Sequence, residues 1–164
     1  MSTSPIKRNK ALVALSREHH FDLLLAWKLR RGIKAGVTAS RMGAYVNYLN
    51  EQLIAAHFRD EENLLFDRLP KNDKMCGRAL KDHQRLRELI TLVTATGNHD
   101  LNLFNELSDL IEDHVRYEER ELFPYLEQQL PAGDLSEAEK KLDERHQGFR
   151  ETWEDAFWEK SKIN

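Results

Sequence analysis

The sequence predicts an all-α fold, an up-down four-helix bundle with an additional C-terminal helix. Three observations carry that reading. Glu, Lys, Arg and Leu are abundant, whereas Gly and Pro number only 7 and 4 in 164 residues, a balance that favours helices over sheets. Apolar residues recur at helical spacing through long runs. Legible stops divide those runs into four long segments and a shorter fifth, with short connections between them.

Each element follows from its own signals. Ser16 reads as the N-cap of the first helix, with Leu23, Leu24 and Trp27 as its apolar stripe, and Gly32 and Gly36 in "RRGIKAGVT" as its breakers. The second runs from about Ser40 to Leu69, with Val46, Leu49, Leu53, His57, Glu61 and Leu64 on one face, until Pro70 stops it. The third runs from about Asp73 through His83, Leu86 and Ile90 to the "TGNHD" turn. The fourth spans roughly Leu101 to Leu130, places Leu107, Leu110, Ile111, His114 and Glu118 inward, and closes at "PAGD". Ser136 and Glu139, at capping-box spacing, open the fifth, whose stripe is Leu142, His146, Phe149, Trp153 and Phe157. Residues 1–130 then form the bundle, with 1–10 expected to be flexible, and 131–164 a helix packed on it or on a partner.

Composition excludes several roles. A formal charge of −3 removes the electrostatic argument for nucleic acid or an anionic membrane as main partner. One cysteine, Cys76, rules out an internal disulfide framework and suits a reducing compartment. "MSTSPIKRNK" is polar and basic with no long apolar run behind it, so neither a signal peptide nor a transmembrane span is expected, and the expected location is the cytoplasm.

The chemistry lies in a repeat. "HFRDEENLLF" at 57–66 returns as "HVRYEERELF" at 114–123, with six of ten positions identical. Residues four apart on a helix share a face, so His57 with Glu61, and His114 with Glu118, each aim an imidazole and a carboxylate at one spot. Both pairs lie on the apolar stripe of their helix, where an uncompensated carboxylate costs several kcal/mol. The first helix adds "EHH" and the third "DHQ", so two similar hairpins face each other across an approximate two-fold axis. A pair of cations between the carboxylates would remove the penalty. Mixed His and carboxylate ligation without thiolates suits iron or manganese, and six ligands overfill one tetrahedral zinc site.

The pattern "EHH" at 18–20, "HFRDEENLLF", "KDHQRL" at 81–86 and "HVRYEERELFPYLE" at 114–127 resembles the hemerythrin-like (HHE) cation-binding domain family over roughly residues 10–130. That resemblance implies a non-haem di-iron centre: two iron ions (Fe2+/Fe3+) with an oxo, hydroxo or water bridge, manganese or zinc being substitutes. By motif, it carries the metal-ligand role to His57, Glu61, His83, His114 and Glu118. On the first helix the ligand is His20 or His19. His20 is favoured, because Leu23, Leu24 and Trp27 follow it at +3, +4 and +7, as Leu86 and Ile90 follow His83 at +3 and +7. Oxygen carriers of this type are expected to have a His-x-x-x-His pair on the third helix and a longer fourth-helix spacing. Here Arg87 stands four after His83 and Glu118 four after His114, which argues against efficient reversible oxygen transport.

The expected function is therefore binding or sensing of O2, NO or peroxide at a His/Glu-ligated di-iron centre. A di-iron enzyme reducing peroxide or oxidising a small substrate, and an iron-storage or iron-dependent interaction module, are the alternatives; a homodimer through the C-terminal helix is a further expectation. His99 reads as an exposed turn residue and His146 as a satisfied core or interface histidine rather than a seventh ligand. Arg59, Glu62, Arg116 and Glu119 read as solvated or supporting charges, and Trp153, Phe157 and Trp158 as packing.

Overall fold

The computed structural model describes residues 8–160. Helix α1 is Lys10–Lys34. Helix α2, residues 39–64, consists of Ala39–Leu49, a π turn at Asn50–Ile54 and Ala55–Leu64. Helix α3 is Lys74–Val93. Helix α4, residues 101–129, consists of Leu101–Tyr117, a π turn at Glu118–Leu122 and Phe123–Gln129. Helix α5 is Ala132–Arg145. No strand occurs among the described residues, and no helix is long and apolar enough to cross a membrane.

Capping explains most of the starts. Asn9 accepts from the Ala11 N–H at 2.9 Å, Thr38 from Arg41, Asp73 from Cys76 at 2.9 Å and Asp100 from Asn102, each satisfying one of the orphan donors of a first turn. The first helix thus starts well before Ser16, whose hydroxyl instead donates to Glu119. Of the segment expected to be flexible, residues 1–7 lie outside the described residues. Arg8 and Asn9 are anchored, with Arg8 donating to the Glu119 carbonyl and to Glu127. Gly36 ends the first hairpin's descending helix with φ +76°, a conformation open to glycine at little cost. Helix α2 stops at Leu64 rather than Leu69, and a short 3-10 turn, Phe66–Arg68, leads to Pro70.

The four long helices pack α1 against α4, α4 against α3 and α3 against α2. Their core divides into two apolar clusters. One joins Leu25, Leu29, Met42, Leu49, Phe58, Leu89, Val93, Phe104 and Ile111. The other joins Leu12, Leu15, Leu65, Ala79, Leu122, Phe123 and Leu126, and α5 closes it with Leu135, Ala138 and Leu142. Leu110, expected inward, is only half-buried. Gly43 is a close-packing point of α2 on α3: a Cβ there would stand 2.6 Å from the Val93 carbonyl oxygen.

The C-terminal expectation needs correction. Helix α5 starts after Pro131, not at Ser136, and ends at Arg145. Residues 146–158 run on without forming a helix, because His146 leaves the helical region (φ −125°, ψ 64°) and Gly148 takes φ +122°. Phe149, Trp153 and Phe157 still pack against the first apolar cluster, each held by its own contacts rather than by a helical stripe. Arg41 makes two hydrogen bonds to Asp155. The Lys28 ammonium lies 3.9 Å from the Trp158 ring centroid and donates to Tyr45 and Glu151.

Overpacking at Gly43 gives a test of the bundle geometry. Gly43→Ala should destabilise the protein by about 1–3 kcal/mol, read as a lower melting temperature; an unchanged melting curve would mean that α2 and α3 are not in such close contact.

Candidate metal centre

Between the two apolar clusters lies one polar layer. His19 comes from α1, His57 and Glu61 from α2, His83 from α3, and His114 and Glu118 from α4. All six are at most 3% exposed. Their donor atoms form two groups, His19–His57–Glu61–Glu118 and Glu61–His83–His114–Glu118, within each of which the atoms lie within 4.8 Å of one another. Both carboxylates belong to both groups.

Every imidazole is braced from outside by a carboxylate. The Nδ1 atoms of His19, His57, His83 and His114 lie 2.7, 2.9, 2.6 and 3.1 Å from Glu119, Glu18, Glu62 and Asp82. An ionised carboxylate can only accept, so each Nδ1 carries the proton and donates it. All four Nε2 atoms are thereby turned toward the centre with the same ring orientation, the arrangement that metal-binding histidines require of their outer partners.

The inward atoms are only partly satisfied by one another: the His19 Nε2 lies 3.0 Å from one Glu118 oxygen. The His83 and His114 Nε2 atoms approach to 3.2 Å, and with both Nδ1 atoms donating outward, two neutral rings would set lone pair against lone pair. Glu61 stands 3.3 Å from His57 and 3.1 Å from His83, yet neither approach is aligned as a hydrogen bond. Both its carboxylate oxygens, the His57 Nε2 and one oxygen of Glu118 remain buried without a hydrogen-bond partner. Such orphans are rare in folded proteins and call for a ligand or an ion.

Electrostatics favour charge here in spite of burial. Desolvation opposes the His19 cation, but hydrogen bonds to Glu118 and Glu119 outweigh it and lift its pKa to about 9. His114 rises to about 10, because Glu118 and Asp82 overcome the same desolvation. Burial would raise the Glu118 pKa, and the neighbouring His114 and His19 instead hold it well below the usual carboxylate range. The layer is a concentration of acidic groups that calls for positive charge, supplied by protons or by cations.

A metal pair fits this donor set. Two imidazole nitrogens about 2.1 Å from one ion and at right angles to each other lie about 3.0 Å apart, close to the separation of the His83 and His114 nitrogens. Hard carboxylates with neutral imidazoles suit iron and manganese, and the orphaned oxygens of Glu61 and Glu118 face both groups.

The first-helix expectation is corrected by the structure. His20 is exposed and lines a surface pocket with Leu23, Leu24 and Trp27, directed away from this layer. The buried face of α1 includes Leu12, Leu15, His19, Asp22, Leu25 and Leu29. The apolar stripe used to choose His20 is solvent-facing, with Trp27 50% exposed. The inward stripe contains charged residues, so apolar periodicity discarded it.

A hemerythrin HHE cation binding domain model matches residues 11–126 and also 80–157. The chain belongs to that family. The hemerythrin match extends past the four-helix bundle to the packed segment after α5, and together with the two donor groups it marks a metal-binding protein. No curated protein and no solved structure matches the chain.

Several residues were missed by sequence reasoning. Glu18 and Asp82 each directly precede a histidine, and that parallel was the available signal; Glu119 and Glu62, read as solvated or supporting charges, support His19 and His83. Asp22, 4% exposed on the inward face of α1, has its carboxyl pKa pushed up to about 6 by burial, with His57, His19 and His114 opposing. Of the residues set aside, His99 is exposed, Arg59 pairs with Asp60 and Arg116 with Glu112. His146 is buried between Glu18 and Asp60.

Alanine at His19 should lower bound metal by more than half, whereas alanine at His20 should leave it unchanged. Metal analysis of the two purified variants decides between them, and the reverse result would return the site to His20. Burial, helped by Asp73, pushes the Cys76 thiol up to about 12. A raised thiol pKa means that the neutral form persists across pH 7–9, so a thiolate-directed reagent should label the native protein far more slowly than the urea-unfolded chain.

Proposed function

We propose that this protein is a non-haem di-iron protein that binds or senses O2, NO or peroxide. His19 and His57 would hold one ion, His83 and His114 the other, and Glu61 and Glu118 would bridge them. The observation that carries the reading is the pair of four-donor groups that share both carboxylates. Two octahedral ions held this way keep positions free for a small ligand, and manganese or zinc would fit as substitutes.

When bound, such an ion pair supplies ferrous–ferric redox chemistry and an electrophilic position for the small ligand. The chain supplies the rest. Glu119, Glu18, Glu62 and Asp82 keep the four imidazoles in one tautomer and one orientation. The carboxylates of Glu61 and Glu118 offset cationic charge in an interior that would otherwise reject it. Phe58 stacks on His83 at 4.1 Å between ring centroids and Phe123 on His19 at 5.4 Å, which shields the centre with apolar surface. Donors this deeply buried favour a diatomic ligand or peroxide over a bulky organic substrate.

The deciding experiment is metal analysis with an electronic spectrum of protein purified under iron-replete conditions. Two irons per chain and a spectrum that changes when the anaerobic ferrous protein meets air, NO or peroxide are the expected results; reversion on degassing would mark reversible binding of O2. Continuous turnover would instead identify an enzyme, and an iron content well above two per chain would identify storage. Metal at a hundredfold over its dissociation constant contributes about 2.7 kcal/mol of stability, so chelation should lower the melting temperature by about 5–11 °C in a chain of this size. An unchanged melting curve would count against a buried site.

A further inference from the structure

Among the four outer carboxylates, Glu18 is the one held by a second histidine. Glu119 is held by Arg8 and Ser16, and Glu62 by Arg87. Glu18 gives one oxygen to the His57 Nδ1–H at 2.9 Å and the other to the Nδ1–H of His146 at 2.8 Å. His146 is the first residue beyond α5 and is 5% exposed. Its Nε2–H donates to Asp60 at 2.8 Å, and Asp60, fully buried, also accepts from Arg145 at 2.9 Å. The Arg17 guanidinium donates to the His146 carbonyl oxygen. Both ring nitrogens, the backbone carbonyl and the neighbouring Arg145 are therefore tied to α1 or α2.

This attachment borders solvent. Two shallow crevices of about 150 and 100 Å³ flank the 146–149 turn, and both are lined by Glu18 and His146. Without the His146 ring, one Glu18 oxygen would lose its buried donor and face water, and nothing else in the turn would fix its rotamer. His57 depends on that rotamer for its own orientation.

We infer that His146 is a positioning residue for the metal centre: by holding Glu18 it fixes the His57 ring with Nε2 turned inward, so that the strap 146–158 governs how firmly one of the two ions is held. This rests on the di-metal reading above. The strap acts as a fifth structural element of the site although it contributes no donor atom to it.

Cobalt(II) is a suitable probe, because its visible spectrum reports ligand geometry without any assay of activity. Wild type, His146→Ala, His146→Gln and Leu142→Ala would be loaded with cobalt and mixed with excess chelator. His146→Ala is expected to bind two ions, show a shifted ligand-field band and release one ion about 10–100-fold faster. His146→Gln, whose amide can donate to Glu18, should recover most of the slow release. Leu142→Ala removes buried packing from the adjoining helix α5 and should lower the melting temperature while leaving the release rate as in wild type. Wild-type release and spectrum in His146→Ala would overturn the proposal, as would equal acceleration in Leu142→Ala. If His146→Ala does not fold, Glu18→Gln must accelerate release of one ion in the same way, and failure to do so overturns the proposal equally. A wild type that takes up fewer than two cobalt ions would remove the di-metal reading itself, a result visible before any variant is compared.

Discussion

Two carboxylates with no access to water, Glu61 and Glu118, set the terms for the rest of this fold. Each stands on a helix whose remaining inward residues are mostly aliphatic or aromatic, and each keeps at least one oxygen without a hydrogen-bond partner. An interior of low polarity tolerates such groups only with positive charge nearby. Four imidazoles surround them, and without a metal those rings are driven toward their cationic form by the same carboxylates. Protons and metal ions thus compete for one set of sites, and metal binding must displace protons. The layer also interrupts the core: the apolar residues form two clusters, and α5 closes one and the strap the other, both from the side of α1 and α2.

The internal repeat gains a physical meaning from the outer carboxylates. The acid that precedes a histidine on an odd-numbered bundle helix braces the histidine of the next helix: Glu18 serves His57 and Asp82 serves His114. The acid that follows a repeat glutamate reaches into the other hairpin: Glu62 serves His83 and Glu119 serves His19. Each hairpin therefore orients one histidine of its own and one of its neighbour. The double Glu of both motifs has two duties, the first facing the centre and the second facing the rings from behind. Neither hairpin can complete its half of the layer alone, so the order of the centre and the docking of the hairpins are coupled.

Much of this was readable from residues, and the failures have specific causes. The His-x-x-x-Glu pairs, their inward direction and the bundle itself follow from spacing, because burial and helical period agree there, whereas the role of the third-helix histidine came from the motif resemblance. The choice between His19 and His20 failed because α1 carries two stripes. Leu23, Leu24 and Trp27 form an exposed or half-buried one, while the buried one includes His19, Asp22 and Lys28. The second stripe also carries Leu12, Leu15, Leu25 and Leu29, but the choice rested on the residues at +3, +4 and +7, where Asp22 stands against His19 and Leu23, Leu24 and Trp27 favour His20. The fifth helix was extended too far for a related reason: Phe149, Trp153 and Phe157 are apolar at intervals of four, yet Gly148 breaks the helix and each ring finds its own niche.

The π turns were also encoded, in a signal that periodicity reasoning did not use. A spacing of four residues overshoots one helical turn by about 40°. In α2 the buried series Leu49, Leu53, His57, Glu61 contains three such steps, an accumulated drift of about 120° that would carry Glu61 away from the core face of Leu49 on a regular helix. The π turn at Asn50–Ile54, where the Ala55 N–H reaches back to the Asn50 carbonyl, inserts one extra residue and absorbs about 100° of it. In α4 the series His114, Glu118, Leu122, Leu126 makes the same three steps, and the π turn at Glu118–Leu122 lies within it. Pro124, which cannot donate to the carbonyl four residues earlier, lies two residues beyond that turn. The widened turns therefore keep the donor pairs and the distant apolar residues of both helices on one face. A run of consecutive four-residue steps around a His-x-x-x-Glu pair is a constraint that an unbroken α-helix cannot meet, and the bulge is the fold's answer to it.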